Sequence, residues 1–186
     1  MDLLHTFILI VAGVAGGIIS SLVGGAALVT YPALLSVGLP PVTATVCNLV
    51  ALTPGNFLAA LYDRGQLPPL DRAFVGLVVA SLVGAGIGAG VGVLLIGVLS
   101  IGGGDYRAAN TTKNLVTSLN SMVAAALFIV RGAVEWQPTL LMLAGALVGA
   151  FIGARLAQIV PHAVMRVVVT LVGGLLTVVF AWRYWV

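Results

Sequence analysis

The sequence predicts an all-α, polytopic helical membrane protein with two internal repeats and broken or re-entrant helices. Three observations lead there. Only 7% of the chain is charged and 61% is hydrophobic, against roughly 25% charged in soluble proteins. No Asp, Glu, Lys or Arg lies between Asp2 and Asp63, a run of 60 residues. As one straight helix that run would reach about 90 Å, against a hydrocarbon core of about 30 Å, so it must turn in or at the membrane. Finally, the chain echoes itself. Val83–Ala89 (VGAGIGA) matches Val148–Ala154 (VGAFIGA) at six of seven positions, and Thr45–Leu49 (TVCNL) answers Thr111–Leu115 (TTKNL). Internal repeats in an apolar chain are a common plan of secondary transporters, though a duplicated channel or scaffold would show them too. A β-barrel is disfavoured, because its strands alternate apolar and polar residues.

The elements follow in order, as one transmembrane domain over 1–186: repeat one over 7–89, repeat two over 90–160, and a final span over 163–185. Phe7–Val37 is long for one crossing and short for two. Gly13, Gly16-Gly17, Gly24-Gly25 and Pro32 interrupt it, which fits a broken or re-entrant hairpin. Val42–Tyr62 is a span, and Asp63–Arg72 is a loop with Pro68-Pro69. Ala73–Ile101 is a glycine-rich apolar run, and Gly102–Asn110 reads as a polar turn. Thr111–Val130 is a span rich in polar residues, and Gly132–Gln137 is a short loop. Pro138–Val160 and Ala163–Trp185 are the last spans, with Trp182, Tyr184 and Trp185 as an interfacial anchor. The pairs Gly84/Gly88 and Gly149/Gly153 are small-xxx-small motifs that let helix backbones approach closely.

Basic residues test the orientation. If Phe7–Val37 and Ala73–Ile101 each return to their starting side, Arg64, Arg72, Arg107, Lys113, Arg155 and Arg166 share one side, and Arg131 and Arg183 the other. That six-to-two split obeys the positive-inside rule and makes the repeats inverted. If Ala73–Ile101 crosses once, the split is four to four. The first arrangement puts Asp63–Arg72 and Gly102–Asn110 together on the cytoplasmic side.

Few residues are equipped for chemistry. Asn110, Asn114, Thr117 and Ser121 lie within about 60° of one another on one helix face. Lys113 and Asn120 form the adjacent stripe, and in the matching upstream span Thr45, Asn48 and Asn56 share a face. Each such group needs a partner in hydrocarbon. Interhelical hydrogen bonds would satisfy them, as would a polar substrate path lined by both repeats, in which that downstream face points toward Thr45 and Asn48. Lys113 has two readings. It snorkels to the interface, or it faces a cavity and attracts an anion, with Arg107 adding to the field. Gly24-Gly25 and Gly102-Gly103-Gly104 are further candidates, because broken helices expose N–H groups that suit an anion.

Other classes lack a signature. His5 and His162 stand apart, no His/Cys/Asp/Glu cluster has metal spacing, and no dinucleotide or phosphate loop occurs. Neither an enzyme nor a cofactor is expected. Cys47 is the single cysteine, so no intrachain disulfide is expected. No basic cluster is interleaved with aromatics, so no nucleic acid partner is expected. The start of the chain, with Asp2 and His5, does not read as a cleaved signal peptide.

One family resemblance covers nearly the whole chain. Gly16–Leu34 (GGIISSLVGGAALVTYPAL), followed by Gly38–Thr45 (GLPPVTAT), resembles the first repeat of the sulfite exporter TauE/SafE family of membrane permeases. Arg107–Leu115 (RAANTTKNL), Gly132–Trp136 (GAVEW) and Gly145–Ala157 resemble its second repeat. The resemblance implies a permease for a small sulfur-containing anion, such as sulfite or a sulfonate, working through two inverted modules. This chain looks like a short form. The family generally has more sequence between its repeats, whereas here Ala73–Ile101 joins them directly. The substrate-binding residues expected are Gly24, Gly25, Thr45, Asn48, Asn110, Lys113, Asn114 and Thr117. The lipid bilayer and a small anion are the expected partners. A proton or sodium coupling ion and a second copy of the chain are further partners open to it. The expected location is the bacterial inner membrane. A passive anion channel and a non-transporting scaffold or degenerate paralogue are the alternatives.

Overall fold

The computed structural model describes residues 2–22, 25–67, 74–76, 78–79 and 106–159. Those residues form α1 (Leu3–Leu22), α2 (Ala27–Ser36), α3 (Pro41–Tyr62), a single 3₁₀ turn (Arg64–Gln66), α4 (Tyr106–Val130) and α5 (Trp136–Ile159). Among the described residues, four helices are long and apolar enough to cross a membrane: α1, α3, α4 over Asn110–Val130, and α5. The chain is therefore a multi-pass membrane protein. The expected glycine echo at 83–89, most of Ala73–Ile101 and the final span Ala163–Trp185 lie outside the described residues.

The first apolar run divides as its glycines suggested. A full-length α1 is followed by a ten-residue α2, which at 1.5 Å per residue reaches only about half of the hydrocarbon core. Gly25, at φ +84°, opens the return, and its carbonyl accepts the Leu28 N–H at 3.0 Å. Gly38 closes α2 at φ +89°. Its N–H reaches the Leu35 carbonyl at 3.0 Å, and the Leu39 N–H reaches Leu34 at 3.3 Å. Gly132 ends α4 in the same way, with bonds to Ile129 and from Ala133 to Phe128. This paired closure requires a left-handed residue, which glycine supplies without a Cβ penalty.

Two boundaries differ from the sequence reading. Tyr106–Asn110 is already helical rather than a polar turn. Ala108 and Ala109 favour helix, and the Thr112 hydroxyl bonds back to the Ala108 carbonyl at 2.8 Å. The loop after α4 is shorter than expected because α5 starts at Trp136. The Glu135 carbonyl accepts both the N–H and the hydroxyl of Thr139. Pro138 sits in that first turn, where its missing N–H costs nothing.

Contacts fix the directions of the helices. Gly13 lies against Met142 and Gly145, Gly17 against Ala146 and Ala150, and Gly153 against Ile18. Positions rise together, so α1 and α5 run parallel with their backbones touching. A Cβ on Gly149 would collide with the Val14 main chain, and one on Gly145 with the Ile10 carbonyl. The α3 helix follows the same direction, with Leu52 near Gly16 and Asn56 bonded to Ser20. The α4 helix runs the other way. Thr111, near its start, bonds Asp63 at the end of α3 (3.2 Å), and Glu135, just beyond its end, accepts from Cys47 near the start of α3 (3.7 Å).

The two helices that carry the Thr/Asn echo are thus antiparallel, as inverted repeats require. The chain leaves α3 and enters α4 at the same end, as a returning Ala73–Ile101 requires; of the basic residues in the six-to-two split, Arg72, Arg166 and Arg183 lie outside the described residues. Arg64 and Arg155 sit at that end as well. Arg155 lies 4.6 Å over the Phe151 ring, whose edge packs on Tyr62 at 5.7 Å. Arg131 is exposed at the other end. The interior is polar toward the Arg64 end. Toward the Arg131 end it is sealed by Leu9, Leu34, Cys47 and Met142, all fully buried.

This topology has a direct check. Arg64 and Arg131 are both exposed. In a Cys47→Ala background, Arg64→Cys and Arg131→Cys are expected to react with an impermeant maleimide from opposite faces of the membrane. Labelling of both from one face would contradict the antiparallel α3 and α4.

Candidate functional site

The polar residues gather where α1 ends against the start of α4. A helix leaves its last four carbonyls without intrahelical partners. In α1 these include Ser20 and Ser21, which stand just before the break at Gly25. Side chains from α4 fill the vacancy. Asn110 Nδ2 donates to the Ser21 carbonyl at 3.0 Å, and Asn114 Nδ2 donates to the same oxygen at 3.3 Å. Lys113 Nζ donates to the Ser20 carbonyl at 3.3 Å. The spacing of 110, 113 and 114 puts all three on one turn. Their cation and amides also meet the negative end of the α1 dipole.

Lys113 is 4% exposed and is the single buried charged residue among those described. It does not snorkel. A lysine held in the hydrocarbon costs roughly 2.5–3.5 kcal/mol on insertion scales, so one retained on an internal face is a functional-site signal. Around it, the Ser20 hydroxyl donates to Asn56 Oδ1 from α3. The Ser21 hydroxyl faces the Gly17 carbonyl at 2.9 Å and the Ala150 carbonyl at 3.3 Å. Ser118, fully buried one turn below Asn114, bonds back to the Asn114 carbonyl. Asn110 Oδ1 and Asn114 Oδ1 are buried without a hydrogen-bond partner among the described residues.

The expected site residues are dispersed by this geometry. Asn110, Lys113 and Asn114 come together. Thr117 is half-buried on the same helix, and it is Ser118 that turns fully inward. The face of Asn110 and Asn114 does not point toward Thr45 and Asn48. Thr45 is exposed, and its hydroxyl bonds to Pro41 on its own helix at 2.9 Å. Asn48 is buried but pairs with the Thr30 hydroxyl of α2. The reason is the antiparallel pairing of α3 and α4. Thr45 and Thr111 each lie near the start of their helix, and antiparallel helices send their starts to opposite ends. Asn56, a full two turns beyond Asn48, is the α3 residue that reaches the site. Gly25 shapes the α1–α2 return, and the Leu28 side chain is the nearest neighbour of a Cβ placed there, at 3.8 Å. Gly24, Gly102-Gly103-Gly104 and the Arg107 side chain lie outside the described residues. Ser20 and Ser21 carry no side-chain signal in the sequence for this role, because a backbone carbonyl has no residue signature. Their place before a glycine break was the available hint.

The model of the family described as sulfite exporter TauE/SafE matches the chain over residues 9–95 and again over 64–180. The chain belongs to that family. The two matched segments overlap over 64–95, so no stretch of chain separates them. In this TauE/SafE protein, the first segment carries α1 to α3 and the second carries α4 and α5. The family is one of membrane transporters rather than enzymes. No curated protein and no solved structure matches the chain.

Proposed function

We propose that this TauE/SafE protein is a permease for a small sulfur-containing anion, sulfite or a sulfonate, in a bacterial inner membrane. One observation carries the reading: a buried lysine on an internal helix face, flanked by two buried asparagines, where the end of α1 meets the start of α4. Lys113 supplies the charge, and the asparagines and the serines of α1 supply polar contacts. Asn110, Lys113 and Asn114 are all buried, and alternating access would open them to one side of the membrane at a time. A proton or sodium ion would couple the cycle to the membrane gradient.

The Lys113–Ser20 bond also favours a second reading, in which Lys113 only caps α1 in a non-transporting scaffold. Flux separates the two. Proteoliposomes holding the purified protein are expected to take up sulfite with saturable kinetics and competition by sulfonates. Flux that rises linearly with concentration would point to a passive channel, and flux equal to protein-free liposomes would point to the scaffold.

A further inference from the structure

The two asparagine amides of the site are oriented by a single acceptor. The Ser21 carbonyl can only accept, so both Asn110 and Asn114 must turn their NH₂ groups toward it. Both Oδ1 atoms are then forced to face elsewhere, and both are buried with no partner among the described residues. The residues themselves are 7% and 3% exposed. Between them in the chain, Lys113 has three N–H donors, and one is used on Ser20. One turn of α4 thus holds spare positive donors together with two spare neutral acceptors.

A site built only for a fully ionised oxyanion needs donors and would be weakened by orphan acceptors. A small cation would suit the amide oxygens but is repelled by the ammonium beside them. An anion that also carries one hydrogen-bond donor satisfies both halves. We infer that this turn selects the protonated monoanion, hydrogen sulfite, over anions of the same charge and shape that have no donor. The anionic oxygens face Lys113, and the acidic hydrogen is accepted by the asparagine oxygens. The inference rests on the permease reading and deepens it to a protonation state of the substrate.

Methanesulfonate is the discriminating probe, since it replaces the acidic hydroxyl by a methyl group and keeps the single charge. In mildly acidic buffer, where sulfite is mostly hydrogen sulfite, calorimetry on the purified protein is expected to show at least about tenfold tighter binding of hydrogen sulfite, or about 1.4 kcal/mol. The Asn110→Ala, Asn114→Ala double variant is expected to bring that ratio close to one. If the double variant does not fold, the ratio for the parent protein decides. Equal affinities in the parent, with saturable sulfite flux, would overturn the inference and leave the permease reading standing, the orphan oxygens then holding only water. No binding of either anion and no flux would overturn both.

Discussion

Replacing Gly149 by leucine is expected to abolish the native packing of α1 on α5. A Cβ at this position falls on the carbonyl, carbonyl carbon and Cα of Val14, so the obstacle is main chain and cannot rotate away. The two helices would have to separate along a seam that also includes Gly13, Gly17, Gly145 and Gly153. Without a hydrophobic driving force in lipid, close packing is what holds such a pair together. Overpacking a rigid core costs about 1–3 kcal/mol and occasionally more. Here the loss is expected at or above about 3 kcal/mol, because the clash is with backbone. Reversible unfolding in mixed micelles measures it. Gly65→Ala is the matched control, since no described residue lies within 4 Å of a Cβ at that position, and it is expected to change stability by less than about 0.5 kcal/mol, as surface substitutions do. A Gly149→Leu protein as stable as its parent would mean that the helices do not touch at this seam.

Lys113→Met is expected to weaken anion binding more than tenfold, with Lys113→Arg keeping part of it. Two unit charges 4 Å apart attract by about 1 kcal/mol in water and several times that where water is excluded, and tenfold in affinity is about 1.4 kcal/mol. Stability supplies the second readout. Methionine removes the cap on the Ser20 carbonyl, a loss of about 1–3 kcal/mol if that oxygen stays unpaired. It also removes the roughly 2.5–3.5 kcal/mol cost of a lysine in the hydrocarbon. The two nearly offset, so the variant is expected to be as stable as the parent or slightly more so while binding is lost. That pattern marks a residue kept for function at the expense of stability. A variant that binds sulfite normally but unfolds more easily would make Lys113 a cap on α1 and nothing more.

The amino-acid sequence by itself determined that the chain is helical and membrane-embedded. The 60 uncharged residues after Asp2 leave no other home for their backbone, because only helices and closed barrels satisfy every N–H and C=O in lipid. The same local physics marked the break near Gly25, the stop at Gly132 and the polar turn of Asn110, Lys113 and Asn114, each readable from residue type and a 100° step per residue. What such periodicity cannot contain is which helix a face will meet, or at which end of the bundle. Thr45 looked like a partner for Asn114 because both repeats carry the echo. Only the tertiary structure showed that antiparallel helices place the two copies at opposite ends, and that Asn56 takes the place beside Ser20. The glycines of α5 announced a close approach, but the partner, α1 in parallel register, was decided by backbone contacts between residues more than a hundred positions apart. The acceptors that anchor Lys113 and its two asparagines are main-chain oxygens. Every residue has one, so their position follows from where α1 ends and not from any side chain that the sequence could display.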